Sequence, residues 1–441
     1  MKRLLQFCSA WVRSICIYLC LGALATTGFA QAGGSTVEQI LLDGPSRYSD
    51  SQISLASGLK YGQAVDDSSL SKAADRLAQT GAFSEVSYQY RTLDGKLTVT
   101  FHVVDQTKTM FCTFDNFVWF TPEEIERAIR AEAPLYDGHV PLNGSMPEDV
   151  KSALEHLLAQ RHVVASVTYL PAAKSPSEPP TEFRYSANGD LPVVTSVEFA
   201  GGPLDPALFN LAKQGLVGRP FSMAYSRLVA EKDLDSIYRN HAYLKAHFSD
   251  PKVTFTEGSS QGDPGSVKLV FTVTPGIEYK WHGAGWSGNS AYAASDLDGF
   301  LGMEERTPAA LDRILAGMDS VAEAYGKKGY IAAKIVPTQS FNDAAGQVRY
   351  SFDVSEGKQF RMGTLTVSGY DSATADRIRK AWRLKSGDIY DSSYPKAFGR
   401  MDLRDALAAN EAGTTTGHIS VATTPNVDAL TVDVLVSLST K

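Results

Sequence analysis

The sequence predicts an α+β fold made of five tandem β-α-α-β-β units. The first observation is a strand pattern in which Leu97, Val99, Phe101 and Val103 alternate with other residues. Such alternation is typical of a strand with one buried face. The pattern recurs at intervals of roughly 80 residues, which indicates a repeat architecture. The further copies lie at residues 183–185, 267–273, 348–354 and 430–436.

The second observation is a helix ahead of each such strand. In the first unit Leu70, Ala73, Ala74 and Leu77 are spaced by three and four residues, which places them on one helix face. A longer stripe of this kind runs through residues 311–325. Because nothing polar interrupts these stripes, we interpret them as core and not as a cofactor site.

The third observation is a short strand between the helix and the recurring strand, introduced by a glycine. Residues 81–83 and 329–331 are the clearest examples, and glycine there can end the helix with a positive φ. Each unit is also predicted to open with a strand and a first helix. The opening strands are predicted at residues 37–42, 111–119, 194–199, 277–281 and 362–367.

The N-terminal residues have the pattern of a cleavable export signal. Lys2, Arg3 and Arg13 precede an apolar stretch, and Gly28 and Ala30 offer small residues at a cleavage site. The apolar stretch is shorter than the roughly 20 residues that a membrane-spanning helix needs. The predicted boundaries are therefore 1–30 for the signal peptide and 31–105, 106–190, 191–275, 276–357 and 358–441 for the units.

Charge and cysteine content narrow the function classes. The chain has 42 Lys and Arg residues against 49 Asp and Glu residues, a net charge of −7. Binding to nucleic acid needs a basic surface, so we expect no nucleic acid partner. After removal of the signal, Cys112 is the one remaining cysteine. This excludes an intramolecular disulfide and predicts that Cys112 is a buried apolar residue.

Three motifs look like enzymatic sites, and we interpret none of them as one. Residues 283–288 spell Gly-x-Gly-x-x-Gly, but glycine recurs near Gly201 and Gly369, which favours a turn of the repeat. Ser69 and Lys72 have Ser-x-x-Lys spacing without the partner motifs of acyl-serine enzymes. In each of two histidine pairs, the six-residue spacing places the two members on different helix faces, and no Glu or Cys completes a set of zinc ligands. The pairs are His156 with His162 and His241 with His247. We therefore predict no enzyme activity, no cofactor and no metal site.

The order of elements and three local motifs resemble POTRA (polypeptide-transport-associated) domains. The motifs are the Gly-Leu-x-x-Gly turn at residues 58–62, the Gly-x-Phe sequence at 81–83 and the Phe-x-Val sequence at 101–103. The second and fifth units depart from them at residues 161–163 and 411–417. The resemblance implies that each unit is a three-stranded mixed sheet with two helices on one face. A tandem of five resembles the periplasmic arm of the outer-membrane β-barrel assembly factors.

In that family the arm precedes a membrane barrel. A barrel of about sixteen strands, at about ten residues each, needs more than ~160 residues. Three residues follow Leu438 in this chain. We therefore expect either an arm without a barrel, beside a separately encoded outer-membrane barrel protein, or a fragment of a longer protein.

The resemblance makes the recurring strand central and the second strand of each unit an exposed edge. Unpaired backbone groups on such an edge can bind an extended chain by β-augmentation. We predict polypeptide-binding residues at Val86, Tyr88, Val253 and Phe255. The predicted edges are residues 85–90, 163–169, 252–256, 334–338 and 419–422.

These observations favour a periplasmic scaffold that binds unfolded or extended outer-membrane polypeptides in outer-membrane protein assembly or secretion. The alternative is a structural spacer or docking arm that binds one folded partner. We expect a periplasmic location, with membrane association only through a partner. The short joints at residues 105–108 and 274–276 predict limited bending between units.

Overall fold

The chain combines helices with several mixed sheets. The computed structural model describes residues 35–173, 179–259, 263–400, 403 and 418–439. The predicted signal peptide and the departure at residues 411–417 lie outside the described residues. The described residues form two compact units, one within the limits 1–113, 121–161 and 167–185 and the other within the limits 114–120, 162–166 and 186–441. The α+β class is confirmed.

The first sheet carries the recurring pattern on a central strand. Its elements are β1 (Ser35–Asp43), α1 (Asp50–Ser57), β2 (Ala64–Val65), α2 (Asp67–Gln79), β3 (Phe83–Leu93) and β4 (Lys96–Asp105). The strand order is β2-β1-β4-β3, with β1 parallel and β3 antiparallel to β4. Phe101 on β4 and Leu70 on α2 are completely buried. The helices therefore cover the apolar face of the sheet, as the alternation predicts.

The second sheet has the order β6-β5-β8-β7. Its elements are β5 (Thr109–Phe114), α3 (Pro122–Glu132), β6 (His139–Pro141), α4 (Met146–Gln160), β7 (Ala165–Ala172) and β8 (Glu182–Gly189). The weaker copy of the recurring pattern, at residues 183–185, also forms a strand with one buried face, because Phe183 and Tyr185 on β8 are buried. The opening strand predicted at 111–119 is wrong at its end. It stops at Phe114 because the Asp115 side chain turns to other partners, the Ser222 hydroxyl and the Ala224 backbone N–H.

The third sheet has an interrupted second helix. Its elements are β9 (Val193–Ala200), α5 (Asn210–Leu216), α6 (Met223–Val229), α7 (Asp235–Asn240), β10 (His247–Phe248), β11 (Lys252–Thr256) and β12 (Ser266–Thr274). A 3₁₀ turn at Pro206–Phe209 precedes α5, and a π-helical turn at Ala230–Leu234 joins α6 to α7. On β12, β9 pairs in parallel, whereas β10 and β11 pair antiparallel.

The fourth and fifth sheets have three strands each, in the orders β13-β15-β14 and β16-β18-β17. The fourth contains β13 (Lys280–Ser287), α8 (Ala294–Leu301), α9 (Leu311–Lys327), β14 (Lys334–Asn342) and β15 (Gln347–Ser355). The fifth contains β16 (Arg361–Ser368), α10 (Ser372–Ala381), α11 (Tyr394–Arg400), β17 (His418–Asn426) and β18 (Thr431–Ser439).

The predicted count of three strands is wrong for the first three sheets, which have four. In the first two, the chain leaving the first helix returns along the opening strand, so β2 pairs with β1 and β6 with β5. In the third, β10 adds a second short partner to β12. In the fourth and fifth sheets the returning chain makes only an isolated bridge, at Pro308 and Ile389 respectively.

Two predicted strand limits also differ from the structure. The opening strand predicted at 277–281 begins at Lys280 and continues to Ser287, because a register shift between Trp281 and Ala284 accommodates the intervening residues. Leu430, predicted to start the last strand, lies in a turn with a φ of 52°. The alternation of apolar residues thus identifies a strand but does not mark its bulges or ends.

Candidate functional site

The second strand of each predicted unit lies at an edge of its sheet. Strands β3, β7, β11, β14 and β17 each lie beside one central strand, which is β4, β8, β12, β15 or β18 respectively. This confirms the predicted position of the second strands. The edge predicted from residue 163 begins at Ala165 instead, because His162 before it has a left-handed φ of 59°.

Strand β3 is the longest of these edges, with 11 residues. Its side chains alternate: Val86 and Tyr88 are half-buried, whereas Ser87 and Gln89 are exposed. The Tyr88 ring lies 6.3 Å from the ring of Phe101 on the central strand. The predicted residues Val86 and Tyr88 therefore face the core side. An incoming chain would meet their edges and the β3 backbone rather than their full faces.

The helix α2 is tied to β3 by one polar contact. The Tyr90 hydroxyl donates a hydrogen bond of 2.8 Å to the Asp67 carboxylate at the start of α2. This bond raises the pKa of Tyr90 above its ordinary value, because ionisation would place two negative groups together. The contact fixes α2 beside the half-buried face of β3.

Strand β11 has five residues and a more enclosed surrounding. Val253 and Phe255 are half-buried and pack against the third core. The Phe255 ring also lies 6.2 Å from the ring of Trp119, at an interplanar angle of 69°. The predicted pairs thus belong to different sheets, with Val86 and Tyr88 in one compact unit and Val253 and Phe255 in the other. The sequence does not single out Trp119, because this residue falls in a segment predicted to be strand.

The opposite edge of each sheet, formed by the opening strand, is irregular. Four opening strands (β1, β9, β13 and β16) carry a register shift where they pair with the central strand. The returning chain also hydrogen-bonds to their outer side. Examples are Val194 N–H to Arg219 O at 2.9 Å and Trp281 N–H to Thr307 O at 2.8 Å. Bulges and added contacts hinder the pairing of a further strand, so the second-strand edge is the more accessible one.

Proline distinguishes the second-strand edges from one another. Pro171 lies in β7, Pro337 in β14 and Pro425 in β17, and Pro251 directly precedes the short β11. Proline has no backbone N–H, so it removes one donor from a strand edge. Strand β3 is long and contains no proline. Strand β3 has a register shift near its start, between Phe83 and Glu85. From Glu85 to Leu93 it offers the longest uninterrupted backbone among the second-strand edges in the described residues.

Two cavities lie beside helices of the fold. One of about 610 Å³ lies between α11 and the edge strand β17, where Lys396, Arg400 and Ile419 are among its lining residues. Another of about 520 Å³ is lined by the ends of α2 and α3, with Arg76 and Leu135 among its lining residues. Neither is lined by the four predicted polypeptide-binding residues.

The motifs that look enzymatic have structural roles here. Gly283 and Gly285 lie on strand β13, and Trp286 stacks on Phe352 at 4.5 Å. Ser69 donates its hydroxyl to Asp66, the residue that caps α2. Within the described ranges, no group of three or more His, Cys, Asp or Glu residues could hold a metal ion. The segment around residues 283–288 is thus part of a sheet, not a loop that leads from a strand into a helix.

Cys112 is buried, as its apolar surroundings predict. Burial raises the pKa of its thiol to about 12, because the charged thiolate is poorly solvated there.

None of the helices in the part of the chain that the structure describes has the length and apolar character of a membrane span.

The residues of the fourth sheet match the model of a known protein family. Residues 279–357 match the POTRA family, described as surface antigen variable number repeat. A protein of Treponema pallidum (strain Nichols), provisionally named an outer membrane protein assembly factor, is 20% identical over 158 residues. That match covers 36% of this chain and 19% of the relative's length.

Solved structures of similar chains include two sets of POTRA domains. The crystal structure of POTRA3-5 of BamA from Haemophilus influenzae has a TM-score of 0.40 at 17% identity and covers 56% of this chain and 96% of that chain. POTRA1-3 of the periplasmic domain of Omp85 from Anabaena has a TM-score of 0.24 at 16% identity. This match covers 57% of this chain and 95% of that chain.

The family match coincides with β13, α8, α9, β14 and β15, in the order β-α-α-β-β. Residues 279–357 are therefore similar to a POTRA domain, and part of the chain resembles a protein provisionally named an outer membrane protein assembly factor.

Proposed function

We propose that the chain is a periplasmic scaffold that binds extended outer-membrane polypeptides during outer-membrane protein assembly or secretion. The POTRA match, the similarity to a provisionally named assembly factor and the five sheets with helices support this role. The proposal includes an N-terminal signal peptide at 1–30 that is cleaved on export. It also includes five POTRA-like units, at 31–105, 106–190, 191–275, 276–357 and 358–441.

The scaffold would act by β-augmentation, chiefly at β3. The observation that carries this proposal is the 11-residue, proline-free edge of β3, which pairs with β4 on one side. An added strand would form backbone hydrogen bonds, each contributing about 0.5–1.5 kcal/mol net. Several such bonds give useful affinity without a requirement for one sequence.

The side chains of β3 indicate a mild preference among clients. Val86 and Tyr88 lie on the core side of the strand, whereas Ser87, Gln89 and Arg91 lie on the outer side. An added strand would therefore place alternate side chains beside an apolar surface and a polar surface. Clients with alternating apolar and polar residues satisfy both, and such alternation is typical of membrane barrel strands.

Val253 and Phe255 mark a second proposed site, on the edge of the third sheet. Strand β11 pairs with β12 from Lys252 to Thr256, and its other side has no strand partner among the described residues. Because β11 has five residues, we expect weaker binding there than at β3.

The joints of the second compact unit favour an alternative, a docking arm for one folded partner such as a separately encoded outer-membrane barrel protein. Tyr279 N–H donates to Ala242 O at 2.9 Å, and Phe360 N–H donates to Gly329 O at 2.8 Å. Lys245 also forms an ion pair of 2.7 Å with Asp343. These contacts hold successive sheets together, and a firm series of sheets suits fixed docking surfaces.

A photo-crosslinking experiment distinguishes the two functions. We would place p-benzoylphenylalanine at Gln89 on β3 and at Thr254 on β11, since both side chains are exposed. The matched control is Thr98, on the central strand β4 of the same sheet. The full chain would be expressed in the periplasm and irradiated.

A ladder of adducts with many unfolded outer-membrane precursors at Gln89, and few at Thr98, supports the scaffold. One discrete adduct, unchanged when precursor synthesis is blocked, supports the docking arm. Absence of any adduct at Gln89 above the Thr98 control overturns the β3 site.

A further inference from the structure

The segment at residues 114–120 packs on the third core rather than continuing a sheet. The Asp115 carboxylate accepts hydrogen bonds from the Ser222 hydroxyl at 2.8 Å and from the Ala224 backbone N–H at 2.6 Å, at the start of α6. The backbone carbonyl of Asp115 accepts a third bond, from Met223 N–H at 3.3 Å. Val118 packs against the same core. The Asn116 side chain also donates to Ala187 O at 3.0 Å and accepts from Ala187 N–H at 2.8 Å. The segment is therefore held by five hydrogen bonds and an apolar contact.

This anchorage brings Trp119 to the edge strand β11. Trp119 is 8% exposed, and its ring meets the Phe255 ring edge to face at 6.2 Å. Such aromatic pairs contribute beyond the area that they bury. On β3, by contrast, the Tyr88 ring lies beside the ring of Phe101 on the adjoining strand. The two predicted binding strands thus differ in what already touches their aromatic residue.

We propose that Trp119 determines which edges accept a client, because it occupies the side-chain site beside Phe255 that an added strand would need. Side chains of neighbouring strands lie about 4.5–5.5 Å apart at Cβ, so a client residue opposite Phe255 would compete for this space. The edge of β3 is then open to clients, whereas the edge of β11 opens only when the segment at residues 114–120 is released. This inference rests on the proposed function.

The experiment uses the purified full chain and a fluorescein-labelled synthetic peptide of about nine alternating Val and Thr residues, long enough to form one strand. p-Benzoylphenylalanine is placed at Gln89 or at Thr254, each in the native background and with Trp119→Ala. We expect Trp119→Ala to increase the apparent affinity at Thr254 about tenfold, which corresponds to 1.4 kcal/mol. The affinity at Gln89 should stay the same. Trp119→Phe, which keeps a ring, is the matched control and should leave both sites unchanged.

A second variant distinguishes release of the segment from local unfolding of the third sheet. Asp115→Ala removes two of the hydrogen bonds of the segment but keeps the indole, so it should increase binding at Thr254 by a smaller factor. Hydrogen exchange of β12 reports whether the third sheet remains folded in each variant. An increase that accompanies loss of β12 protection in both variants overturns the inference.

The two proposals fail in different ways. If the peptide labels the Gln89 site but Trp119→Ala leaves the Thr254 site unchanged, the role of Trp119 is wrong and the scaffold proposal stands. If the peptide labels neither site in any variant, β-augmentation itself is wrong.

Discussion

The edge strands β3 and β14 occupy the same position in their sheets but present different surfaces. Each pairs antiparallel with its central strand over nearly its full length. Strand β3 keeps half-buried residues in alternation as far as Thr92, whereas β14 is exposed at each residue from Val336 to Ser340. Pro337 also removes a backbone donor in the middle of β14. Equal topology therefore does not give equal strand edges.

The difference between the two edges has a physical reason, because an unpaired strand edge can associate with other chains. An exposed, regular strand edge invites uncontrolled pairing, and proline is one of the devices that prevent it. Strand β14 lies within the residues that match the POTRA family, yet it contains a proline. Strand β3 lacks it. We therefore expect client binding to concentrate where the edge is left regular.

The largest loss of folding stability should come from truncating a buried phenylalanine on the central strand beside each edge. Phe101 and Phe352 occupy central strands and are 0% and 1% exposed. Either Phe→Ala substitution should cost about 3–5 kcal/mol, because it leaves a cavity in a packed core. Hydrogen exchange resolved by peptide should show loss of protection in the first sheet for Phe101→Ala and in the fourth for Phe352→Ala.

The two variants also sharpen the comparison between the edges. Phe101→Ala should abolish crosslinking at Gln89, whereas Phe352→Ala should leave it unchanged. Equal loss from both variants would show that β3 is not the principal binding edge.

The next effect concerns the two glycines that flank β3. Gly81 and Gly95 both have a φ of 76°, but a methyl group at Gly81 would collide with the carbonyl oxygen of Asn143, whereas one at Gly95 meets nothing within 4 Å. Gly95→Ala should cost about 1 kcal/mol through the left-handed backbone. Gly81→Ala should cost about 2–3 kcal/mol because the collision is added to the same strain.

Thermal unfolding of the full chain, with hydrogen exchange of β3 and β4, measures both changes. Equal costs for the two substitutions would show that the close approach to Asn143 contributes nothing.

The sequence predicts the centres of the sheets better than their edges. The alternation of Leu97, Val99, Phe101 and Val103 encodes a buried face directly, and all four side chains are buried. Edge position came from the family resemblance, because an alternating strand looks the same at an edge as elsewhere. Bulges in the opening strands leave no comparable signal, since one extra residue only shifts the register.

Trp119 shows why part of the candidate site was missed. Its neighbours extend an apolar run that looks like strand, so the sequence predicts continuation through residue 119. The run ends because Asp115 finds partners 107 and 109 residues further along the chain. A contact over such a separation depends on tertiary structure, which local periodicity does not encode. The polar pair Asp115 and Asn116 inside the run is the local signal of this end.

A smaller effect should follow from making β14 more like β3. Pro337→Thr restores a backbone donor in a strand that is already exposed, so it should increase crosslinking to the alternating Val and Thr peptide from a probe at Gln339. The expected gain is about threefold to fivefold, since one hydrogen bond is worth about 1 kcal/mol. Ser340→Thr, which changes an exposed side chain without adding a donor, is the control. No gain from Pro337→Thr would mean that proline is not what limits β14.

The smallest effect should come from the bond between β3 and α2. Tyr90→Phe removes the hydrogen bond to Asp67 and should cost at most about 1 kcal/mol, because both groups are near solvent. The folded-state pKa of Tyr90 is raised by this bond, so its contribution is present below the ordinary tyrosine value near 10 and is lost as pH rises through the folded-state pKa. Unfolding midpoints of the two proteins should therefore differ at pH 7 to 9 and converge at higher pH. A difference that persists above that range would assign the effect to packing of the ring instead of the hydrogen bond.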